Sequence, residues 1–142
     1  ANSANQALDR IINFFPEERR DQLLMDVSLN LKALISQRLI PRQEGKGRTA
    51  AVEIMLNTPL MADLIFKGQV GELKELMKRS RELGMQTFDQ AIFDLYEGQV
   101  ITYEDALRNA DSVNDLRLQI KLNSQRARVT DLSAGTEHLT IV

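Results

Sequence analysis

The chain has 142 residues, of which 43% are hydrophobic and 27% charged, a balance that supports one packed core and argues against disorder throughout. Its 18 basic and 20 acidic residues leave a net charge of −2, so no field of one sign draws it to nucleic acid or an anionic membrane. It has no cysteine, which excludes disulfides and thiolate chemistry, and no apolar run approaches the ~20 residues of a membrane span.

No signal-peptide pattern is expected in this stretch, and a capping motif follows Ala1 at once, so the chain is expected to be a piece of something longer. Ser3-Ala4-Asn5-Gln6 has the Ser-x-x-Gln form of a capping box. Leu8, Ile11, Ile12 and Phe15 then recur at helical spacing. Pro16 suits the first position of a second helix, with Glu17 and Glu18 in its first turn. The stripe Leu23, Leu24, Val27, Leu31, Leu34 and Ile35 carries that helix to about Ile35. A β-hairpin is expected next, with a short strand over 37–42, a turn at Gln43-Glu44-Gly45-Lys46-Gly47 and a second strand over 48–56. Pro41 belongs at an edge or a strand end.

The remainder reads as helices punctuated by glycine. Thr58-Pro59 opens one that Gly68 closes. Leu73, Leu76, Met77 and Leu83 mark another, stopped by Gly84. Thr87-x-x-Gln90 is a second capping box, leading to a stop at Gly98. Thr102 and Ser112 cap two more. From about Ser124 the pattern fades into a flexible tail, with Leu139, Ile141 and Val142 able to add an edge strand.

A search for chemistry finds no catalytic, cofactor-binding or metal-binding residue. Gly45-Lys46-Gly47-Arg48-Thr49 is the nearest string to a phosphate loop, but it lacks the first glycine and the hydroxyl after the lysine, and it reads as a turn. His138 is the only histidine, and no triad or metal cluster can be built on it. Met55, Met61, Met77 and Met85 read as core filling. The basic residues Lys121, Arg126 and Arg128 could touch an acidic partner or nucleic acid, but without interleaved aromatics, and with Asp131 and Glu137 following, they read as a solvated helix end.

Several strings, in order, resemble the twitching-motility ATPases PilT and PilU. Ala1-Asn2-Ser3-Ala4 with Leu8-Asp9-Arg10-Ile11-Ile12 and Phe15-Pro16 is similar to the segment after the family histidine. Ser36-Gln37-Arg38-Leu39 and Gly47-Arg48-Thr49-Ala50-Ala51-Val52-Glu53 resemble the strand pair that follows. Gly84-Met85-Gln86-Thr87-Phe88-Asp89-Gln90-Ala91 and Tyr103-Glu104-Asp105-Ala106-Leu107 resemble two late helices. The agreement runs over roughly residues 1–120 and lies nearer PilU than PilT.

The resemblance implies an α+β, mainly α fold: the C-terminal piece of a RecA-like core over 1–57, a helical subdomain over 58–124 and a tail over 125–142. It implies a hexameric motor that uses ATP and Mg in the parent protein and powers pilus retraction at the cytoplasmic face of the inner membrane. The implied partners are further copies, the membrane platform protein and a related retraction ATPase; nucleic acid is not among them. The piece itself, with no nucleotide motif, is expected to be inactive alone and to serve subunit and partner contacts. Leu60 to Gln69 falls where the family carries an Ala-Ile-Arg-Asn-Leu-Ile-Arg-Glu-Gly-Lys motif needed for retraction. Leu64, Ile65 and Gly68 match it; Ala62, Phe66 and Lys67 depart from it. The expected partner or regulatory helix is therefore Leu60, Met61, Leu64, Ile65, Phe66, Lys67 and Gly68, with Leu64 and Ile65 buried and Ala62, Phe66 and Lys67 more exposed. The alternative is a free-standing helical interaction module with no nucleotide function.

Overall fold

The computed structural model describes residues 3–130, and they are mainly helical with one antiparallel hairpin, as expected. In chain order come α1 (Ala4–Phe14), a 3-10 turn (Glu17–Arg19), α2 (Arg20–Asn30), β1 (Ala33–Pro41) and β2 (Arg48–Leu56). Then follow α3 (Pro59–Phe66), a 3-10 turn (Val70–Glu72), α4 (Leu73–Lys78), a 3-10 turn (Arg81–Leu83), α5 (Phe88–Glu97), α6 (Tyr103–Asn109) and α7 (Val113–Asn123). Residues 125–130 are also helical. The edge strand expected of Leu139, Ile141 and Val142 lies outside the described residues.

The helix starts follow from local side chains. Ser3, Thr58, Thr102 and Ser112 each accept a hydrogen bond from the backbone N–H three residues on, satisfying a donor that has no partner within the helix. The box at α5 closes in both directions: Thr87 Oγ1 accepts from the Gln90 N–H at 3.2 Å, and Gln90 Oε1 from the Thr87 N–H at 3.1 Å.

Two helix ends differ from expectation. The second helix stops at Asn30 rather than Ile35, and 33–36 belong to β1. The Asn57 side-chain amide donates to the carbonyls of Ser28 and Leu31, at 3.0 and 2.8 Å, and so satisfies acceptors at the end of α2. The helix expected over 73–83 stops at Lys78 and resumes only as a 3-10 turn. There the Gln90 amide donates to the Lys78 carbonyl at 3.1 Å, and Ser80 Oγ donates to the Leu76 carbonyl at 2.7 Å. Gly84 then takes φ +98°, as expected of a glycine stop.

Packing divides the chain into two compact units. Of the described residues, the first comprises 3–38 together with Ala50–Ala91, and the second Leu39–Thr49 together with 92–130. The boundary expected at 57/58 falls inside the first unit, because α3 packs on α2.

The core of the first unit gathers Ala4, Leu8, Met55, Met61, Ile65, Val70, Leu73, Met77 and Met85. The four methionines expected as core filling are all there, each no more than 1% exposed. Glu53 on β2 is buried in the same unit. Its Oε1 accepts from the Ala4 N–H at 2.8 Å and its Oε2 from the Phe88 N–H at 3.2 Å, so one carboxylate serves the first residues of α1 and α5. Arg38 lies 4.1 Å from the centre of the Phe88 ring. In the second unit, Ile40, Ile92, Tyr96, Ile101, Ala106, Leu116 and Ile120 are buried.

Candidate functional site

The expected partner helix is α3, and its register is fixed at both ends. Thr58 Oγ1 accepts from the Met61 N–H, and Pro59 occupies the first turn, where its missing N–H costs nothing. At the other end Gly68 takes φ +71°; its N–H donates to the Ile65 carbonyl, and the Gln69 N–H to the Leu64 carbonyl. That pair of bonds is a Schellman closure, which favours glycine at the left-handed position.

Met61 and Ile65 are fully buried and Leu64 is partly buried against the same core. Burying two such side chains stabilises the helix by roughly 1.5–3 kcal/mol each. Leu60 remains 66% exposed and Phe66 50% exposed, and Ala62 is intermediate. Lys67 pairs with Asp63 at 2.9 Å on the open surface, a contact worth a few tenths of a kcal/mol, ~0.3–0.5.

Each exposed hydrophobic lies in its own recess. Leu60, Asp63 and Leu64 line a groove of about 380 Å³ with Glu72, Glu75, Leu76 and Arg79. Phe66 lines a shallower one of about 290 Å³ with Asp21, Gln22 and Met25. The surfaces combine apolar side chains with carboxylates and contain no histidine. Among the described residues no group of three or more His, Cys, Asp or Glu is placed to hold a metal ion.

The string Gly45-Lys46-Gly47-Arg48-Thr49 forms the hairpin turn and the start of β2. Gly45 and Gly47 take φ +77° and +108°, and the Arg42 N–H bonds to the Gly47 carbonyl. His138 lies outside the described residues. No helix among the described residues is long and apolar enough to cross a membrane.

Arg126 is where the sequence reading fell short. Rather than a solvated end, its guanidinium donates to the carbonyls of Tyr96 and Ile101 and to Gln43 Oε1, at 2.7, 2.8 and 2.6 Å. It also stands 4.4 Å over the Tyr96 ring. Residues 125–130, placed in the expected tail, are helical because their first N–H groups are satisfied. Ser124 Oγ accepts from the Ala127 N–H, and Glu97 Oε1 accepts from the N–H groups of Gln125 and Arg126. Burial raises the Glu97 carboxyl, but the Ser124 side chain, these two N–H groups and the Arg126 charge together hold it below the ordinary glutamate value. The local signal was Ser124 at a cap position; the Glu97 and Arg126 contacts are long-range and leave no trace in spacing.

No protein-family model matches the chain. It is 61% identical to the type IV pilus ATPase PilU of Pseudomonas aeruginosa over 99% of this chain and 37% of that protein. It is 35% identical to the type IV pilus retraction ATPase PilT of the same organism, over 76% of this chain and 31% of that one. The crystal structure of the pilus retraction motor PilT with bound ADP superposes with a TM-score of 0.73 at 30% identity, covering 82% of this chain and 32% of that one. The Legionella pneumophila ATPase DotB shares the fold, with a TM-score of 0.61 over 75% of this chain and 28% of that one. The chain thus spans about a third of the length of the relatives it matches. At 61% identity to PilU against 35% to PilT, the chain is a PilT/PilU-like sequence that matches part of a type IV pilus ATPase.

Proposed function

We propose that this chain is the subunit- and partner-contact region of a hexameric motor ATPase that powers type IV pilus retraction, with α3 as a partner-binding helix. The observation that carries the reading is the 61% identity to PilU across nearly the whole chain. The exposed Leu60 and Phe66, on a helix whose buried face is fixed by Met61 and Ile65, support the contact role. A lone exposed aromatic on a rigid element is the kind of side chain that dominates binding energy.

In this reading ATP and Mg are handled by other parts of the parent protein, since the 142 residues hold no phosphate-loop string. The motor works at the cytoplasmic face of the inner membrane, against the platform protein and beside a related retraction ATPase. Where the family motif is basic, this helix offers Ala62 and Phe66, so apolar side chains replace the two arginines, as suits an accessory motor.

The test places Leu60→Ala and Phe66→Ala together in the full-length protein. Pilus retraction is expected to be lost while circular dichroism shows a folded protein. Retraction at the unsubstituted level would overturn the assignment of α3.

A further inference from the structure

The second unit holds a cleft of about 740 Å³ that the reading above leaves unused. Its walls include Gln43, Tyr96, Tyr103, Arg117, Lys121 and Arg126, with Glu104 as the acid among its lining residues. The three cations have different roles. Arg126 is committed to the carbonyls of Tyr96 and Ile101 and to Gln43, so it is part of the wall. The side chains of Arg117 and Lys121, both exposed, have neither an ion-pair nor a hydrogen-bond partner among the described residues. Glu104 does not pair with them.

Arg117 and Lys121 are one helical turn apart on α7. Residues at that spacing project side by side, about 5–6 Å between Cβ atoms. Alternate residues of an extended peptide lie roughly 6.6 Å apart on one face, so two carboxylates at that spacing meet both cations. The same cleft has apolar wall: Ile120, and the Tyr103 ring, held edge-on to Tyr96 at 6.0 Å between centroids. We infer that this cleft is a docking site for an acidic segment of a partner protein, with carboxylates on Arg117 and Lys121 and an apolar side chain against Tyr103.

Nucleic acid fits less well. Glu104 adds a negative charge to the cleft wall, and the net charge of −2 gives no long-range attraction. The inference is independent of the role proposed for α3.

The chain carries its own reporter. It has two tyrosines and no tryptophan, and both tyrosines line the cleft. Titrating the intact chain with a synthetic peptide bearing glutamates at alternate positions around a central leucine should give a saturable change in tyrosine fluorescence that weakens as salt rises. Arg117→Gln with Lys121→Gln should lower the affinity by about tenfold or more, as for charges that pair across an interface. Circular dichroism checks that the double variant is folded; should it fail to fold, each single variant should still lose part of the affinity. An unchanged fluorescence signal, or equal binding by wild type and variants, would overturn the proposal. So would a single-stranded oligonucleotide that binds as tightly as the peptide.

Discussion

Each unit of the chain is tied by one charged side chain that reaches across several elements, and the two ties differ in sign and setting. In the first unit Glu53 is 2% exposed and accepts from the leading N–H groups of α1 and α5, inside an apolar core. In the second, Arg126 is half-buried and donates to the end of α5, to the loop after it and to the hairpin turn, beside the Glu97 carboxylate. An acid serves helix starts because unpaired N–H groups collect there; a guanidinium serves carbonyls because it has only donors to give. The comparison teaches that burial, more than the count of bonds, sets the cost of losing such a group. A buried donor stripped of its acceptor has no water to turn to, whereas a half-buried one does.

The largest effect is expected at Glu53. Glu53→Ala leaves two N–H groups without their acceptor and opens space in the core, which should cost about 2–5 kcal/mol. Urea unfolding of the chain measures it, and faster amide exchange at Ala4 and Phe88 locates it. A loss no larger than that from removing Arg126 would break the comparison.

Arg126→Gln should cost less, about 1–3 kcal/mol, because water can reach part of what the guanidinium leaves. The expected readout is a loss of protection confined to the second unit. Loss of protection around Glu53 as well would show that the two ties are not separate.

The smallest effect is the dependence on pH. The folded Glu97 carboxyl lies below the ordinary glutamate value, so its stabilisation is fully present above about pH 4.3 and is lost as pH falls through the lower folded value. Helical signal from 125–130 should therefore weaken in that acidic range. Glu97→Gln should remove this pH dependence and leave the segment loosened at every pH. An unaltered acid transition in the variant would remove Glu97 from the account.

Much of this architecture was legible because it is local. A serine or threonine cap acts on an N–H three residues away, and the Gly68 and Gly84 stops need only a left-handed backbone. The same holds for the hairpin turn and for β2, found at the residues expected. The face of α3 was legible in part: 3.6-residue periodicity puts Met61 and Ile65 together and leaves Phe66 out, while Leu64, expected buried, is only partly so.

The structure overruled the sequence where a distant side chain set an end. Leu31, Leu34 and Ile35 continue a helical stripe, yet β1 takes 33–36 as the partner of β2, and Asn57 serves the carbonyls where α2 stops. Gln90 does the same at Lys78, cutting short a helix that Leu83 would have extended. Arg126 belongs to this class: nothing within a few residues of it foretells Tyr96, Ile101 or Gln43. The sequence by itself determined where elements begin, which faces turn inward and which family the chain resembles, because capping and periodicity act over a turn or two of chain. Only the tertiary structure decided where α2 and α4 end and which charged groups close each unit, because those hydrogen bonds join residues 12 to 83 positions apart, and their geometry exists only after the chain has folded.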